Sequence, residues 1–193
     1  NAAVLGASAF WLVGGMLQMN LVIHCRQVYH VSNSTTGFVM ACAAIGIALG
    51  SFVAGKISGN EVKKGFVLFG SGSMSLLFAI ITFVPMGFVL FVACVSGIAF
   101  MGGFFQIPCL SMVQKADVGR KLGDMIGYLN LVTFIFVLAG TGFFSLTTFL
   151  THENSYAVFG VITAVCLFVS GYFFKRSPGF RNETAAMLGK IFR

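Results

Sequence analysis

The sequence predicts an all-α membrane protein with six transmembrane helices. Of its 193 residues, 58% are hydrophobic and only 9% are charged, whereas about a quarter of the residues of a soluble domain are charged. Mean hydropathy is +0.95. The apolar residues fall into six long runs. If these runs are helices that cross the membrane in alternating directions, almost all lysines and arginines lie on the same side of the membrane. Together these observations predict the fold class.

Each apolar run is long enough to cross the hydrocarbon core of a bilayer, which takes roughly 20 helical residues. The third and fourth runs are separated only by Pro85 and its neighbours. We divide them into a hairpin, because together they have about twice the length of one crossing. Gly46 and Gly50 in the second run predict close helix packing. The predicted helices are residues 2–23, 36–55, 66–84, 87–113, 125–150 and 156–174.

The lysines and arginines predict the orientation. If six helices alternate, all 12 of these cations except Arg26 lie on one side of the membrane. Cytoplasmic loops carry an excess of Lys and Arg, so this side and both chain ends are predicted to be cytoplasmic. The net charge of +7 does not predict a nucleic-acid partner, because the charges lie in short connections rather than on one solvated face.

Residues 1–176 form the predicted transmembrane bundle, and residues 177–193 form a cytoplasmic tail. In the tail, apolar residues such as Phe180 and Ile191 fall at helical spacing opposite charged residues. The tail is therefore either an amphipathic helix on the inner leaflet or a linker into a following domain. The chain begins at Asn1 without a methionine or a basic segment before an apolar core. This predicts a fragment of a longer protein rather than a signal peptide.

Polar side chains within the runs identify a candidate site. An unpaired amide in lipid costs several kcal/mol. The first, fourth and fifth helices carry amides and are expected to face a shared polar interior, whereas the third and sixth carry only hydroxyls and are expected to face lipid. The alternative is that each amide only pins neighbouring helices together. The candidate cavity-lining residues are Gln18, Asn20, Gln106, Asn130 and Thr133.

Signatures of enzymes, metal sites and cofactor sites are missing from the sequence. HExxH, GxSxG and Walker patterns do not occur, and none of the five cysteines has metal-ligand spacing to another. His24, His30 and His152 fall in or near the predicted outer loops without partners. All five acids lie at run ends, in loops or in the tail, so this chain offers no intramembrane carboxylate for a proton relay. We expect no catalytic residue, metal or cofactor.

Four segments carry a family resemblance. They are FWLVGGMLQMNL (10–21), AIGIALGSFVAGKISGNEVKKG (44–65), GIAFMGGFFQIPCLSMVQ (97–114) and GRKLGDMIGYLN (119–130). In this order and spacing they resemble the C-terminal half of the lysophospholipid transporter family of the major facilitator superfamily. That family includes members fused to an acyltransferase and an acyl-ACP synthetase. The resemblance covers about residues 5–144.

The loop GKISGNEVKKG, residues 55–65, resembles a superfamily loop of the form GxxxDRxGRR. The resemblance rests on its first glycine and its basic pair, and the loop departs from the pattern at Gly59, Asn60 and Val62. The predicted cytoplasmic loop motif, which would lie near anionic head groups or latch two bundles together, consists of Gly55, Lys56, Lys63, Lys64, Arg120 and Lys121.

The resemblance implies the C-terminal bundle of a major facilitator fold, moving lysophospholipid or another amphipathic substrate across the bacterial inner membrane by alternating access. It implies three kinds of partner: membrane lipids, a missing N-terminal six-helix half, and a fused or associated acyltransferase. The candidate amides would bind the head group, and some of the 23 phenylalanines would line a wall for the acyl chain. Two alternatives stay open, namely the membrane domain of a fused acyltransferase enzyme and a general solute symporter of the superfamily.

Overall fold

All six predicted helices are present. The computed structural model describes residues 2–59, 63, 65–115 and 122–176. Lys64, Arg120, Lys121 and the tail of residues 177–193 lie outside the described residues. Each helix is long and apolar enough to cross a membrane, and each end lies within four residues of the predicted end. The helices are α1 (Ala2–Gln27), α2 (Asn33–Ser58), α3 (Gly65–Phe83), α4 (Phe88–Gln114), α5 (Leu122–Leu150) and α6 (Ser155–Arg176).

Local sequence explains where several helices begin and end. Ser32 precedes α2, and its Oγ accepts a hydrogen bond from the backbone N–H of Thr35 at 3.2 Å. Asn154 caps α6 in the same way, since its Oδ1 accepts from the N–H of Tyr156 at 3.0 Å. Such caps satisfy donors that a helix start leaves without an internal partner. Gly59 follows α2 with a φ of 54°, which glycine adopts without strain.

The predicted glycine pair of α2 packs directly on α4. A Cβ added to Gly46 would lie 2.6 Å from the carbonyl oxygen of Ser96, and one added to Gly50 would overlap the carbonyl of Phe100. Only glycine permits this approach, so the packing role predicted for the pair is confirmed. Because both contact points advance by four residues along both helices, α2 and α4 run parallel.

The α1–α5 contact repeats this arrangement. Ser8 meets Thr133 through their hydroxyl groups, and a Cβ on Gly140 would lie 2.7 Å from the carbonyl oxygen of Leu12, so α1 and α5 also run parallel. α3 packs on α4, α6 packs on α1, and α3 and α6 pack on each other. The first three helices and the last three are therefore two structural repeats of inverted topology, a common construction in transporters.

The interior of the bundle is formed by α1, α3, α4 and α6. They supply the largest fully buried side chains, including Phe78, Phe91, Phe159, Phe173 and Met16. In the most apolar 18-residue window of α3 half of the residues are buried, against 11% for α5 and 22% for α2. Within this bundle α2 and α5 are thus the least buried helices. α3 and α6 also expose large apolar side chains, such as Leu76 and Phe168, so the expectation that these two helices face lipid stays a prediction.

Hydroxyl groups explain the burial of α3 and α6. Ser71 donates a hydrogen bond to Ser170 Oγ across the α3–α6 contact at 3.1 Å, and Thr82 Oγ1 lies 3.5 Å from Thr163 Oγ1 further along. Thr82 and Thr163 also donate to carbonyls of their own helices. A hydroxyl that bonds its own helix is not left unpaired, so these helices can be buried without any amide.

The described lysines gather at one end of the bundle, where α2, α4 and α6 end and α3 and α5 begin. Lys56, Lys63, Lys115 and Lys175 lie at this end, and Arg26 lies at the opposite end of α1. We call these the basic end and the outer end. The observed alternation of six helices produces the charge separation on which the predicted orientation depends.

Candidate functional site

One face of α1 changes from covered to open along its length. Residues three and four apart share a helix face, and this face carries Val4, Ser8, Trp11, Gly15, Gln18 and Val22. Near the basic end it is covered, because Val4 and Ser8 are only 2% and 0% exposed. Further out, Trp11 is 50% exposed and Gln18 is also exposed. We call Trp11, Gly15, Gln18 and Val22 the open stripe.

The open stripe combines an aromatic ring, an amide and bare backbone. A Cβ placed on Gly15 or its neighbour Gly14 would meet no atom within 4 Å, so the glycines leave a shallow recess between Trp11 and Gln18. The Gln18 amide has two donors and an acceptor, and the indole of Trp11 offers a large apolar face with one polar edge. The stripe carries no charge, and this combination suits an amphipathic molecule.

Gln106 is a buried amide on α4. Its side chain is 8% exposed, and its Oε1 has no hydrogen-bond partner among the described residues. Gly102 and Gly103, four and three residues earlier, lie against Phe10 of α1 and against Gly50 of α2. Gln106 therefore lies on the face of α4 between α1 and α2. A buried, unpaired acceptor is costly, and a hydroxyl, ammonium or water donor at this place would satisfy it.

Asn130 and Thr133 lie three residues apart on α5 and have different surroundings. Asn130 is exposed. Thr133 is half-buried, and its Oγ1 lies 3.2 Å from Ser8 Oγ. Thr133 therefore joins α5 to α1, whereas Asn130 remains available on the surface of α5.

Asn20 is fully buried at the outer end, in the contact between α1 and α6. Its Nδ2 donates a hydrogen bond to the carbonyl oxygen of Ser155 at 3.0 Å, while its Oδ1 has no partner among the described residues. Asn20 is 0% exposed. Its amide ties the first turn of α6 to α1.

His24 belongs to the same contact. It lies in the last turn of α1, near the outer connection as expected, but the expectation that it has no partner is wrong. The side chain is 1% exposed, and its Nδ1 lies 2.9 Å from Ser155 Oγ. Four rings surround the imidazole, with centroids 4.8–5.4 Å away: Tyr29, Phe91, Tyr156 and Phe159. The four-residue spacing of Asn20 and His24, which places them on one helix face, was the signal for this contact.

Tyr29 closes the cluster from the α1–α2 connection. Its hydroxyl donates a hydrogen bond to the carbonyl oxygen of Met86 at 3.1 Å, which joins that connection to the α3–α4 turn. Burial raises the pKa of Tyr29 to about 12, and nearby Tyr156 adds to the shift. The phenol therefore stays protonated over the physiological range.

The five candidate residues do not converge on one point. Contacts of Gly6 with Cys109 and of Phe10 with Gly102 place Gln106 at the depth of Ser8, which is also the depth of Thr133. Gln18 lies ten residues further along α1, a rise of about 15 Å. The candidate residues are therefore spread along the bundle rather than gathered at one depth, and Asn20 serves a helix contact. That the first, fourth and fifth helices line a shared polar interior stays a prediction.

The described part of the predicted loop motif lies at the basic end. Gly55 is half-buried near the end of α2 and its carbonyl accepts a hydrogen bond from the N–H of Gly59 at 3.1 Å. Lys56 is exposed and Lys63 is half-buried. Within the described residues, no group of three or more His, Cys, Asp or Glu side chains could hold a metal ion.

Comparison with known proteins gives one match. The sequence model of the Major Facilitator Superfamily matches residues 3–189, which is nearly the whole chain. No curated protein and no solved structure matches it significantly.

Proposed function

Because the chain belongs to the Major Facilitator Superfamily, whose members are generally membrane transporters, we propose that it is the C-terminal half of a transporter that moves lysophospholipid across the bacterial inner membrane. The observation that carries the proposal is the open stripe of α1. An uncharged face that joins an amide to an aromatic ring and a glycine recess suits a molecule with a polar head and one acyl chain. The resemblance of four segments to lysophospholipid transporters supports this choice.

In the proposed mechanism this bundle rocks against a missing N-terminal six-helix half around a central site, giving alternating access. The exposed faces of α2 and α5 are available for contact with that half. Gln18, Gln106 and Asn130 would hydrogen-bond the head group as it passes successive depths. Trp11 and the glycine recess would hold the acyl chain, while Asn20 and Thr133 hold helices together.

We also propose that the basic end faces the cytoplasm, which places both chain ends on that side. The support is the positive-inside tendency of membrane proteins. Exposed Lys56 would then lie close to anionic lipid head groups, where each basic residue contributes about 1 kcal/mol of attraction. Membrane lipids are thus proposed partners at this end.

A fused or associated acyltransferase is a further proposed partner, since the products of the transport would be acylated on the cytoplasmic side. The alternative that the helices chiefly anchor such an enzyme can be checked in the parent reading frame. An HxxxxD motif within roughly the next hundred residues after Arg193, the length scale of one domain, would establish the fusion. The absence of lysophospholipid transport in a fused protein would then favour the anchoring role.

The membership of the superfamily also supports a general solute symporter. Among the described helices the one carboxylate is Asp124, in the first turn of α5, so a proton-coupled symporter would need intramembrane carboxylates in the missing half. A parent protein that carries such carboxylates and moves small solutes but no lysophospholipid would replace our proposal.

The test is transport by the full-length parent protein in proteoliposomes, followed with labelled lysophospholipid. We expect the Gln18, Gln106 and Asn130 triple alanine variant to lose at least about tenfold in transport, because it removes proposed hydrogen bonds to the ligand, each taken as about 0.6–2 kcal/mol, as for polar contacts in a membrane. The matched control is a Ser96, Thr141 and Thr147 triple alanine variant, whose hydroxyls bond only carbonyls of their own helices. Equal transport by both variants would remove the assigned site.

A further inference from the structure

We infer that Asn20, His24 and Ser155 form a positioning cluster, which holds the open stripe of α1 toward the path of the substrate. The inference rests on the proposed transport function and adds a set of residues that act on the substrate only through α1. Each of the three is buried at the outer end, away from the open stripe itself.

Hydrophobicity alone does not select the rotation of α1. Apolar side chains occur on its buried face, as with Met16 and Leu21, and also among its exposed residues, as with Trp11 and Val22. In a membrane both faces meet an apolar medium, because lipid chains are as apolar as leucine. The rotation of α1 must therefore be specified by close packing and by polar contacts.

The cluster supplies such contacts at the outer end of α1. Asn20 and His24 are one turn apart, so they lie on the same face, and both bond to Ser155 at the start of α6. The amide uses the backbone carbonyl at 3.0 Å, and the imidazole uses the hydroxyl at 2.9 Å. The four rings around His24 leave it no room to swing away. One residue of α6 thus anchors two residues of α1.

The anchored face and the open stripe lie on opposite sides of α1. Gln18 precedes Asn20 by two residues, which is a rotation of about 200° around a helix of 3.6 residues per turn. When Asn20 and His24 face α6, Gln18 must therefore face away from it. Near the basic end α1 is held to α5 by the Ser8–Thr133 contact. In the outer part of the helix, where the stripe is open, Ser155 provides the polar anchor.

The experiment measures the exposure of position 18 in the full-length parent. A Q18C substitution is introduced into a variant of the parent in which Cys25, Cys42, Cys94, Cys109 and Cys166, together with every cysteine outside this chain, are replaced by alanine. The rate of maleimide labelling is then recorded. H24F keeps an aromatic ring among the four surrounding rings but removes the hydrogen bond to Ser155 Oγ. S155A removes only the hydroxyl, and so remains informative if H24F folds poorly. S155T keeps the hydroxyl and is the conservative rescue.

We expect H24F and S155A each to change the labelling rate by about threefold or more, as for the loss of one interhelical hydrogen bond in a membrane. S155T should restore the native rate. In the H24F/S155A double variant the labelling rate should change no more than in either single variant, because the two substitutions remove the same hydrogen bond. S170A is the matched control, since it removes another α6 serine that accepts a hydrogen bond from Ser71 of α3, and it should leave the rate unchanged.

Transport kinetics give the second measurement, made with Gln18 intact. H24F and S155A should raise the KM for lysophospholipid more than they lower kcat, because they misplace a binding group without changing the fold. Native labelling rates in H24F and S155A, or an equal change in S170A, would overturn the inference. Absence of lysophospholipid transport by the native protein would overturn the proposed function alone, and the labelling rates would still decide whether the cluster orients α1.

Discussion

Substitution of Gly46 by alanine tests the packing of α2 on α4. The added Cβ would lie 2.6 Å from the carbonyl oxygen of Ser96 and 3.2 Å from Ala99 Cβ, whereas ordinary contacts begin at 3.4 Å. The Ser96 oxygen belongs to helix backbone, so the whole of α2 must retreat by about 0.8 Å, and such overpacking typically costs about 1–3 kcal/mol. The gain in helix propensity from glycine to alanine, about 1 kcal/mol in water, acts in the opposite direction.

Gly72→Ala on α3 separates these two effects. Gly72 is exposed, and a Cβ there would meet nothing within 4 Å, so this variant carries only the propensity gain. We therefore expect the Gly46 variant to be less stable than the Gly72 variant by about 1–3 kcal/mol. A domain of 150–250 residues would show about 2–12 °C for this difference, and the larger full-length protein should show a smaller shift in the same direction.

In the assay the purified full-length protein is heated in detergent, and its thermal unfolding is measured by size-exclusion chromatography of the heated samples. Gly50→Ala should be more destabilising than Gly46→Ala, because its Cβ would overlap the backbone of Phe100. If the Gly46 and Gly50 variants melt at or above the temperature of the Gly72 variant, the close α2–α4 approach described above is incorrect.

Three further predictions concern the outer loops, and each is checked by the same melting assay. His152 has a φ of 51°, a left-handed value that favours glycine, so His152→Gly should stabilise the protein by about 0.5–1 kcal/mol; a lower melting temperature would contradict this. Asn154→Ala removes the cap that receives the N–H of Tyr156 and should cost about 1 kcal/mol, whereas an unchanged melting temperature would mean that the cap contributes nothing. Burial raises the pKa of Tyr29 in the folded protein to about 12, whereas its pKa in the unfolded chain is about 10. The protonated phenol therefore stabilises the fold fully below about pH 10, and this stabilisation is lost as the pH rises from about 10 to 12. Tyr29→Phe should remove this alkaline loss of stability, and identical pH profiles for the two proteins would refute it.

The helices could be predicted from the sequence because a membrane imposes a strict rule on length. A run of about 20 apolar residues has few alternatives to a spanning helix, and the Pro85 turn divided the one double-length run correctly. The Gly46–Gly50 contact followed from spacing alone, since a glycine ridge has an evident use in helix packing.

The arrangement of the helices was harder to predict, because hydropathy does not say which face of an apolar helix is buried. The absence of amides in α3 suggested that it faces lipid, yet Ser71 and Thr82 allow it to be buried against α6. Nor could hydropathy reveal whether two amides lie at the same depth. Gln18 and Gln106 share a type of side chain and occur on adjacent helices, but lie at different depths along the bundle.

His24 shows why the outer cluster was missed. Its partner Ser155 lies 131 residues away, and serine at the start of a helix is ordinarily interpreted as a cap. The aromatic rings that enclose His24 come from three separate segments of the chain. Only the four-residue spacing from Asn20 was local, and such a spacing is too common to identify a partner.

The tie between Asn20 and Ser155 also constrains how the protein is made. The two residues are separated by 135 positions, and a ribosome that adds about 5–20 residues per second needs about 7–27 s to cover that distance. Throughout this interval α1 has already been synthesised while the anchor of its amide and imidazole has not. The polar contacts that fix the rotation of the outer part of α1 can therefore form only after α6 has been synthesised.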